Sequence, residues 1–273
     1  MKMKFSYSSL KKGDGSDTNI LVWESVPYTS PFSPVMRAFT KNDVTNLQTF
    51  AGQRVCFEGS LMFPLLPRMT KGLYYNTPLT ENGCSNSTLF KDFSTFVTTK
   101  FGLEVKTRPP PVVRVTILDR EDHKFRRILN LGDLVEAAVT SMDGGGPFEY
   151  EVRVVRFAGK PFEDQLKIVG QTDVLVGVHG AGLTHLMFLP TGGVLLELED
   201  CGDACYRNLA RLNGVAYVTL PAGASQAVPL EEPGGGDVSR PKFVNFVFHP
   251  EHFVQTLEEA AKMALKGRGT DRI

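Results

Sequence analysis

The sequence predicts an α/β protein whose C-terminal half is a parallel sheet with helices on both faces, and three observations carry that prediction. Residues 173–200, DVLVGVHGAGLTHLMFLPTGGVLLELED, read as an apolar run, a glycine turn, a short apolar helix and a second apolar run. Near-continuous apolar runs mark strands covered on both faces, and the connection between them is too long for a hairpin but suits a helical crossover. From 112 to 220 such runs alternate with helical periodicity through five strands, the pattern of a doubly covered parallel sheet. Pro109-Pro110-Pro111 stops the chain just before this pattern begins. A boundary is therefore placed there, dividing the chain into 1–108 and 109–273.

Each element follows from its local pattern. Residues 1–30 are polar and aperiodic apart from 20–23, and are expected to form a loosely attached arm. Residues 32–55 hold candidates for a helix and a short strand, with Asn42-Asp43 between them. Residues 61–79 mix apolar and aromatic side chains with three prolines and one glycine, which predicts a packed irregular connection. Leu89, Phe90, Phe93 and Phe96 recur at helical spacing within 86–101. After the prolines come a strand at 112–118, the charged turn DREDHKFRR at 119–127, a helix at 129–142, a strand at 148–157 and a helix at 161–169 that places Phe162, Leu166 and Val169 on one face. The unit of the opening follows: strand 174–178, turn 179–182, helix 183–189 and strand 194–198. A helix at 205–212 and a strand at 215–220 complete the series. Residues 222–237, rich in proline and glycine, read as a surface loop. In the helix at 250–265, Phe253, Leu257, Ala260 and Ala264 make one apolar face.

Composition narrows the function. Thirty basic and thirty acidic side chains balance to a formal charge of zero, which argues against a nucleic-acid or polyanion surface. No apolar run reaches the roughly 18 residues of a bilayer span. The N-terminal residues have no apolar core and do not read as a signal peptide. The four cysteines, Cys56, Cys84, Cys201 and Cys205, permit two disulfides in any of three connectivities. Cys201 and Cys205 could close a tight loop, and buried thiols are the alternative. Zinc is set aside, because there is no CxxC pair and no histidine next to a cysteine in the sequence. Asn86-Ser87-Thr88 is an N-glycosylation acceptor triplet. With the cysteines it points toward a secretory compartment.

The glycine turn is the candidate site. Gly180 and Gly182 let the backbone approach a ligand at the end of a strand, and the helix that starts there offers unpaired N–H groups and a positive dipole end. An anion is expected at 179–184. Gly180-Ala181-Gly182-Leu183-Thr184-His185 starts like a dinucleotide fingerprint, but His185 replaces the third glycine and the turn does not follow the first strand. A nicotinamide dehydrogenase is therefore the weaker alternative. No Walker pattern, G-x-S-x-G elbow or HExxH occurs. Glu197, near the end of the next strand, is the candidate acceptor for ribose hydroxyls, while Glu199 reads as a solvated strand end.

GVHGAGLTHLMFLPTGGVLLEL resembles the signature of glycosyltransferase family 61. The likeness extends through LLPRMTKGLYYNTP (65–78), RVTILDR (114–120), residues 126–130, QLKI (165–168), NLARLNGVAY (208–217) and PKF (241–243), roughly residues 36–265. It implies a two-domain GT-B fold with a Rossmann-like C-terminal half that binds a UDP-sugar, and a truncated N-terminal, acceptor-side domain, since family members are about twice this length. It further implies inverting transfer of N-acetylglucosamine from UDP-N-acetylglucosamine to a Ser or Thr hydroxyl of a protein acceptor, EGF-like repeats, in the lumen of the endoplasmic reticulum, although the chain ends without a retention tetrapeptide. A nucleotide-sugar-binding remnant without catalysis is the alternative.

By the same resemblance the UDP-sugar lies on Arg120, Arg126, His179, Gly180, Ala181, Gly182, Leu183, Thr184 and Glu197, with the two arginines neutralising the departing diphosphate. Disulfides Cys56–Cys84 and Cys201–Cys205 are expected in a lumenal protein, and Asn86 as a glycosylation site. Family members carry Asp-x-Asp where this chain has Lys41-Asn42-Asp43, so no metal is expected to be required and no cofactor beyond the donor. The general base is not identified. Asp43 and His179 are the candidates, while His179 and His185 could equally orient the backbone or the donor.

Overall fold

The computed structural model describes residues 18–22, 33–56, 88–103, 112–143, 149–230 and 241–269. It divides into two compact units, Met1–Met69 and Thr70–Ile273. The helix at 88–100 falls in the second unit, where it packs on the 3-10 segment at 181–188 and the helix at 205–213. Residues 61–79, Cys84 and Asn86 lie outside the described residues.

In the first unit β1 (Leu21–Val22) pairs in parallel with β2 (Thr45–Asn46). Two 3-10 segments, Ser33–Ala38 and Leu47–Phe50, flank the second strand. The carbonyl of Thr18 accepts from the Thr40 hydroxyl and, at 3.1 Å, from the Asn42 amide. Residues 18–22 of the expected loose arm are therefore tied down.

The second unit opens with α1 (Thr88–Lys100) and then builds β3 (Val112–Leu118), α2 (Leu131–Asp143), β4 (Glu149–Val155), α3 (Phe162–Val169), β5 (Val174–Gly177), a 3-10 segment (Ala181–Phe188), β6 (Val194–Glu197), α4 (Cys205–Asn213) and β7 (Ala216–Thr219). The five strands form one parallel sheet in the order β4-β3-β5-β6-β7. The α/β parallel sheet expected from the sequence is borne out. Its apolar runs are buried on both faces: Val113, Val115, Ile117, Val174, Val176, Val194 and Leu196 join the main core, and Leu175 and Leu195 are equally inaccessible.

Beyond the sheet, β8 (Ser225–Val228) pairs antiparallel with β9 (Asn245–Phe248), and α5 (Pro250–Gly269) closes the chain. β8 lies inside the stretch expected to be a surface loop; Ala227 opposite Phe246 gives the polar Ser225-Gln226 start a sheet partner. Phe253, Leu257, Ala260 and Ala264 are at most 1% exposed and share one core with Leu134 and Ala138 of α2. Phe253 and Leu257 each contribute about 1.5–3 kcal/mol of burial. Among the described residues no helix is long and apolar enough to cross a membrane.

At the entrance to the sheet, Asp173 receives the Arg114 backbone N–H at 2.8 Å and its Nε at 3.2 Å. Alongside, Arg153 Nε donates to Thr116, whose hydroxyl meets that of Thr172 at 2.7 Å. Such a buried network is tolerable only because its members satisfy one another.

Candidate functional site

Within the sheet the chain runs outward in one direction from β3 to β4 and in the other from β5 to β7, so the carboxyl ends of β3 and β5 part at the point where ligands bind in open α/β sheets. β3 continues into Asp119-Arg120, and β5 into Val178-His179-Gly180. The two chain ends meet. A Cβ placed on Gly180 would collide with Nη1 of Arg120, so the guanidinium lies directly on the turn in space that only glycine leaves open.

Arg126 is brought to the same place by a strained backbone. Its φ is +62°, and its N–H is pinned to the carbonyl of Val244 at 2.7 Å. Its Nη1 donates to the His179 carbonyl at 3.0 Å. The Nε atoms of both Arg120 and Arg126 are buried without a hydrogen-bond partner. Burial, and then the neighbouring Arg126, lower the pKa of Arg120, and no carboxylate is among the charges acting on it. His123 is lowered by burial and then by both arginines. Two adjacent guanidinium groups with donors to spare and no acid between them form a site for an anion.

The turn adds backbone donors. Its first 3-10 bond runs from Leu183 N–H to the Gly180 carbonyl at 2.9 Å, so the N–H groups of Ala181 and Gly182 stand ahead of it. The helix expected at 183–189 is therefore 3-10 and starts earlier, at Ala181, because Gly177 and Gly182 let it drop close to the sheet: a Cβ on either would lie 3.1 Å from Leu183 Cδ2 or Leu118 Cδ1, respectively. Leu183 itself is 1% exposed and anchors the turn in the core. Thr184 is half-buried in the second turn.

Glu197, offered by the sequence to ribose hydroxyls, lies inside the fold. It is wholly buried, its Oε1 lies 3.1 Å from His179 Nδ1, and its Oε2 accepts from the Tyr217 hydroxyl at 2.7 Å. Both carboxylate oxygens are thus engaged within the protein. Burial raises its pKa, and the bonds from His179 and Tyr217 oppose that rise. His179 accordingly turns its ring inward, against Tyr206, with Nε2 3.8 Å from Asp203 Oδ2. It holds the turn in place, a role ill suited to a proton acceptor for an incoming hydroxyl. Glu199 is not a solvated end either: it accepts from Cys201 N–H and from the Ser225 hydroxyl.

His185 is a core residue. Its Nδ1–H donates to the Gly182 carbonyl at 3.0 Å, and its ring packs on Phe157 and Phe162. Burial lowers its pKa to about 4. Asp43 is exposed in the first unit.

The expected Cys201–Cys205 bridge is absent, and Cys56 is likewise unbridged. Cys201, at φ +53°, aims its sulfur at the Pro241 carbonyl 3.5 Å away, whereas Cys205 starts α4 beside His179 and Asp203. The turn sends the two sulfurs to different neighbours. Burial, then Glu199, pushes the Cys201 thiol up to about 12. Histidine and cysteine thus meet in space although they are apart in sequence. A separate groove lined by Leu131, Val135, Val139 and Val154 carries both acids, among them Asp119 and Glu136, and the bases Arg127 and Arg156.

The chain is similar to known proteins. The profile of the family described as Glycosyltransferase 61 matches residues 44–196. The chain is 42% identical over 255 residues to the EGF domain-specific O-linked N-acetylglucosamine transferase of Drosophila melanogaster, covering 92% of this chain and 46% of that protein. It is 39% identical to the protein of the same name from Bos taurus, covering 92% and 47%, and 40% identical to that of Mus musculus, again covering 92% and 47%. The chain spans about half the length of these curated relatives.

Proposed function

We propose a sugar-transfer role from one premise: the chain belongs to the glycosyltransferase 61 family. In this reading residues 112–269 are the nucleotide-sugar half of a GT-B enzyme, the donor is UDP-N-acetylglucosamine, and the acceptor is a Ser or Thr hydroxyl of an EGF-like domain in the endoplasmic reticulum lumen. Support for the acceptor comes from the names of the relatives. Support for the donor site comes from one observation: Arg120 and Arg126 converge on the Gly180 turn with buried, unsatisfied Nε groups.

The chemistry follows from charge. When the bond from the anomeric carbon to the diphosphate breaks, negative charge grows on the departing phosphate oxygens. Fixed donors aimed at that position stabilise the transition state more than the ground state. Arg120, Arg126 and the N–H groups of Ala181 and Gly182 are such donors, already held by Val244, His179 and Leu118. Attack from the face opposite the diphosphate gives inversion at that carbon.

Calorimetric titration tests the reading. UDP and UDP-N-acetylglucosamine are expected to bind the chain, with NADH inert. Retained UDP affinity in an Arg120→Ala, Arg126→Ala double variant would remove the site, and binding of NADH in place of UDP would favour a dehydrogenase.

A further inference from the structure

We propose that His179, Asp203 and Cys205 form a binding site for one soft divalent cation of the zinc type. Each offers one ligand atom, a ring nitrogen, a carboxylate oxygen and a sulfur, and the three atoms lie within 4.8 Å of one another. Zinc with N, O and S ligands at about 2.0–2.3 Å holds them about 3.3–3.6 Å apart when tetrahedral. His179 Nε2 and Asp203 Oδ2 are already 3.8 Å apart. An approach of about 1 Å closes the rest, and the fourth position is left to water.

The surroundings suit a ligand set. Behind His179 stands Glu197, fully buried, with its Oε1 3.1 Å from Nδ1 and its Oε2 fixed by Tyr217. A carboxylate at the far nitrogen holds the proton on Nδ1 and aims the Nε2 lone pair outward, the arrangement found behind metal-bound histidines. Asp203 is oriented by its other oxygen, Oδ1, which accepts the Cys205 N–H at 3.1 Å. Cys205 is 2% exposed at the start of α4. Thiolate and imidazole select zinc over magnesium or manganese, which favour all-oxygen shells.

One cation already competes. Lys242 Nζ sits 2.6 Å from Asp203 Oδ2 on a side chain that is 43% exposed. Its long stem can swing into solvent when a divalent ion arrives. This site is independent of the nucleotide reading, and its test contains no nucleotide.

The test is a titration of the reduced chain with zinc chloride, repeated with cobalt(II) to read thiolate-to-metal charge transfer in the near ultraviolet. One equivalent should bind with the charge-transfer band present. Cys205→Ser should lose the band and weaken zinc at least tenfold with an unchanged circular dichroism spectrum, whereas Cys56→Ser and Cys201→Ser should keep both. Lys242→Ala should tighten zinc several-fold by removing the competitor. A band that is absent from the unmodified chain, or that survives Cys205→Ser, overturns the proposal. So does a Lys242→Ala variant with unchanged or weaker affinity.

Discussion

Nη1 of Arg126 donates to the carbonyl oxygen of His179 at 3.0 Å, although the two residues are 53 positions apart. The bond joins the charged turn after β3 to the glycine turn after β5 and fixes one arm of the guanidinium. Its buried Nε and remaining donors are left for a ligand.

Arg126→Gln is therefore expected to weaken UDP binding about 10- to 100-fold, the loss of one charge-assisted interaction of about 1.5–3 kcal/mol. Arg126→Lys should recover little, since a point charge cannot both hold the His179 carbonyl and reach the anion. Equal affinities for the three proteins in calorimetry would contradict this.

Gly180→Ala should displace the Arg120 guanidinium, whose Nη1 occupies the space of the new methyl group. Because the obstructing atom ends a flexible side chain, the fold should survive while UDP affinity falls at least tenfold, and Gly180→Val should abolish binding. Thermal melts close to wild type beside lost binding are the expected pair; unchanged UDP affinity in Gly180→Val would rule out the turn as the anion site.

Much of this was legible in the sequence. The parallel strands announce themselves because burial on both faces demands unbroken apolar runs such as 174–178, and the glycine turn at 179–182 pointed to an anion, with Arg120 added only by the family resemblance. Glu197 was not legible as a buried residue: a carboxylate at a strand end reads as exposed, and only the tertiary fold brings His179 and Tyr217 to its two oxygens. β8 was hidden because proline and glycine surround it and its partner β9 comes seventeen residues after it ends. The spacing of Cys201 and Cys205 suggested a bridge, but a left-handed residue between strand and helix sends the sulfurs apart.

Acid should destabilise the second unit through His185. Its folded pKa of about 4 lies below the ordinary 6.5, so the unfolded chain binds the proton first and stability falls as pH drops from about 6.5 toward 4, by on the order of 3 kcal/mol. His185→Phe should flatten that part of a denaturation profile measured against pH. A slope unchanged by the substitution would assign the acid sensitivity elsewhere.

Asp173→Ala should cost about 3–5 kcal/mol, because it strands the Arg114 guanidinium in a site where both side chains are about 5% exposed. An Arg114→Met, Asp173→Leu double variant should lose much less. Urea denaturation of the three proteins checks the order, and equal losses would show that packing, not the uncompensated charge, dominates.

Donor binding should be indifferent to magnesium and manganese. In the proposed site the diphosphate charge is met by Arg120, Arg126 and backbone donors, and Lys41 adds a cation two positions from Asp43 where a metal-binding pair of acids would be needed. UDP affinities measured with and without either ion should agree; a strict manganese requirement would overturn this.

The stitching of residues 126–130 to β9 has a consequence for biosynthesis. Arg126 N–H binds Val244, Leu129 N–H binds Phe246, and Asn130 exchanges two bonds with Phe248 at 2.8 and 3.0 Å. All of these partners lie about 118 positions downstream. A nascent chain can pair its five parallel strands once Thr219 has left the ribosome, but the Arg126 backbone N–H has no partner until Val244 follows. The placement of Arg126 is therefore a late event in synthesis, and a stop codon or frameshift shortly before β9 would leave a sheet whose second arginine is present but has lost its backbone anchor.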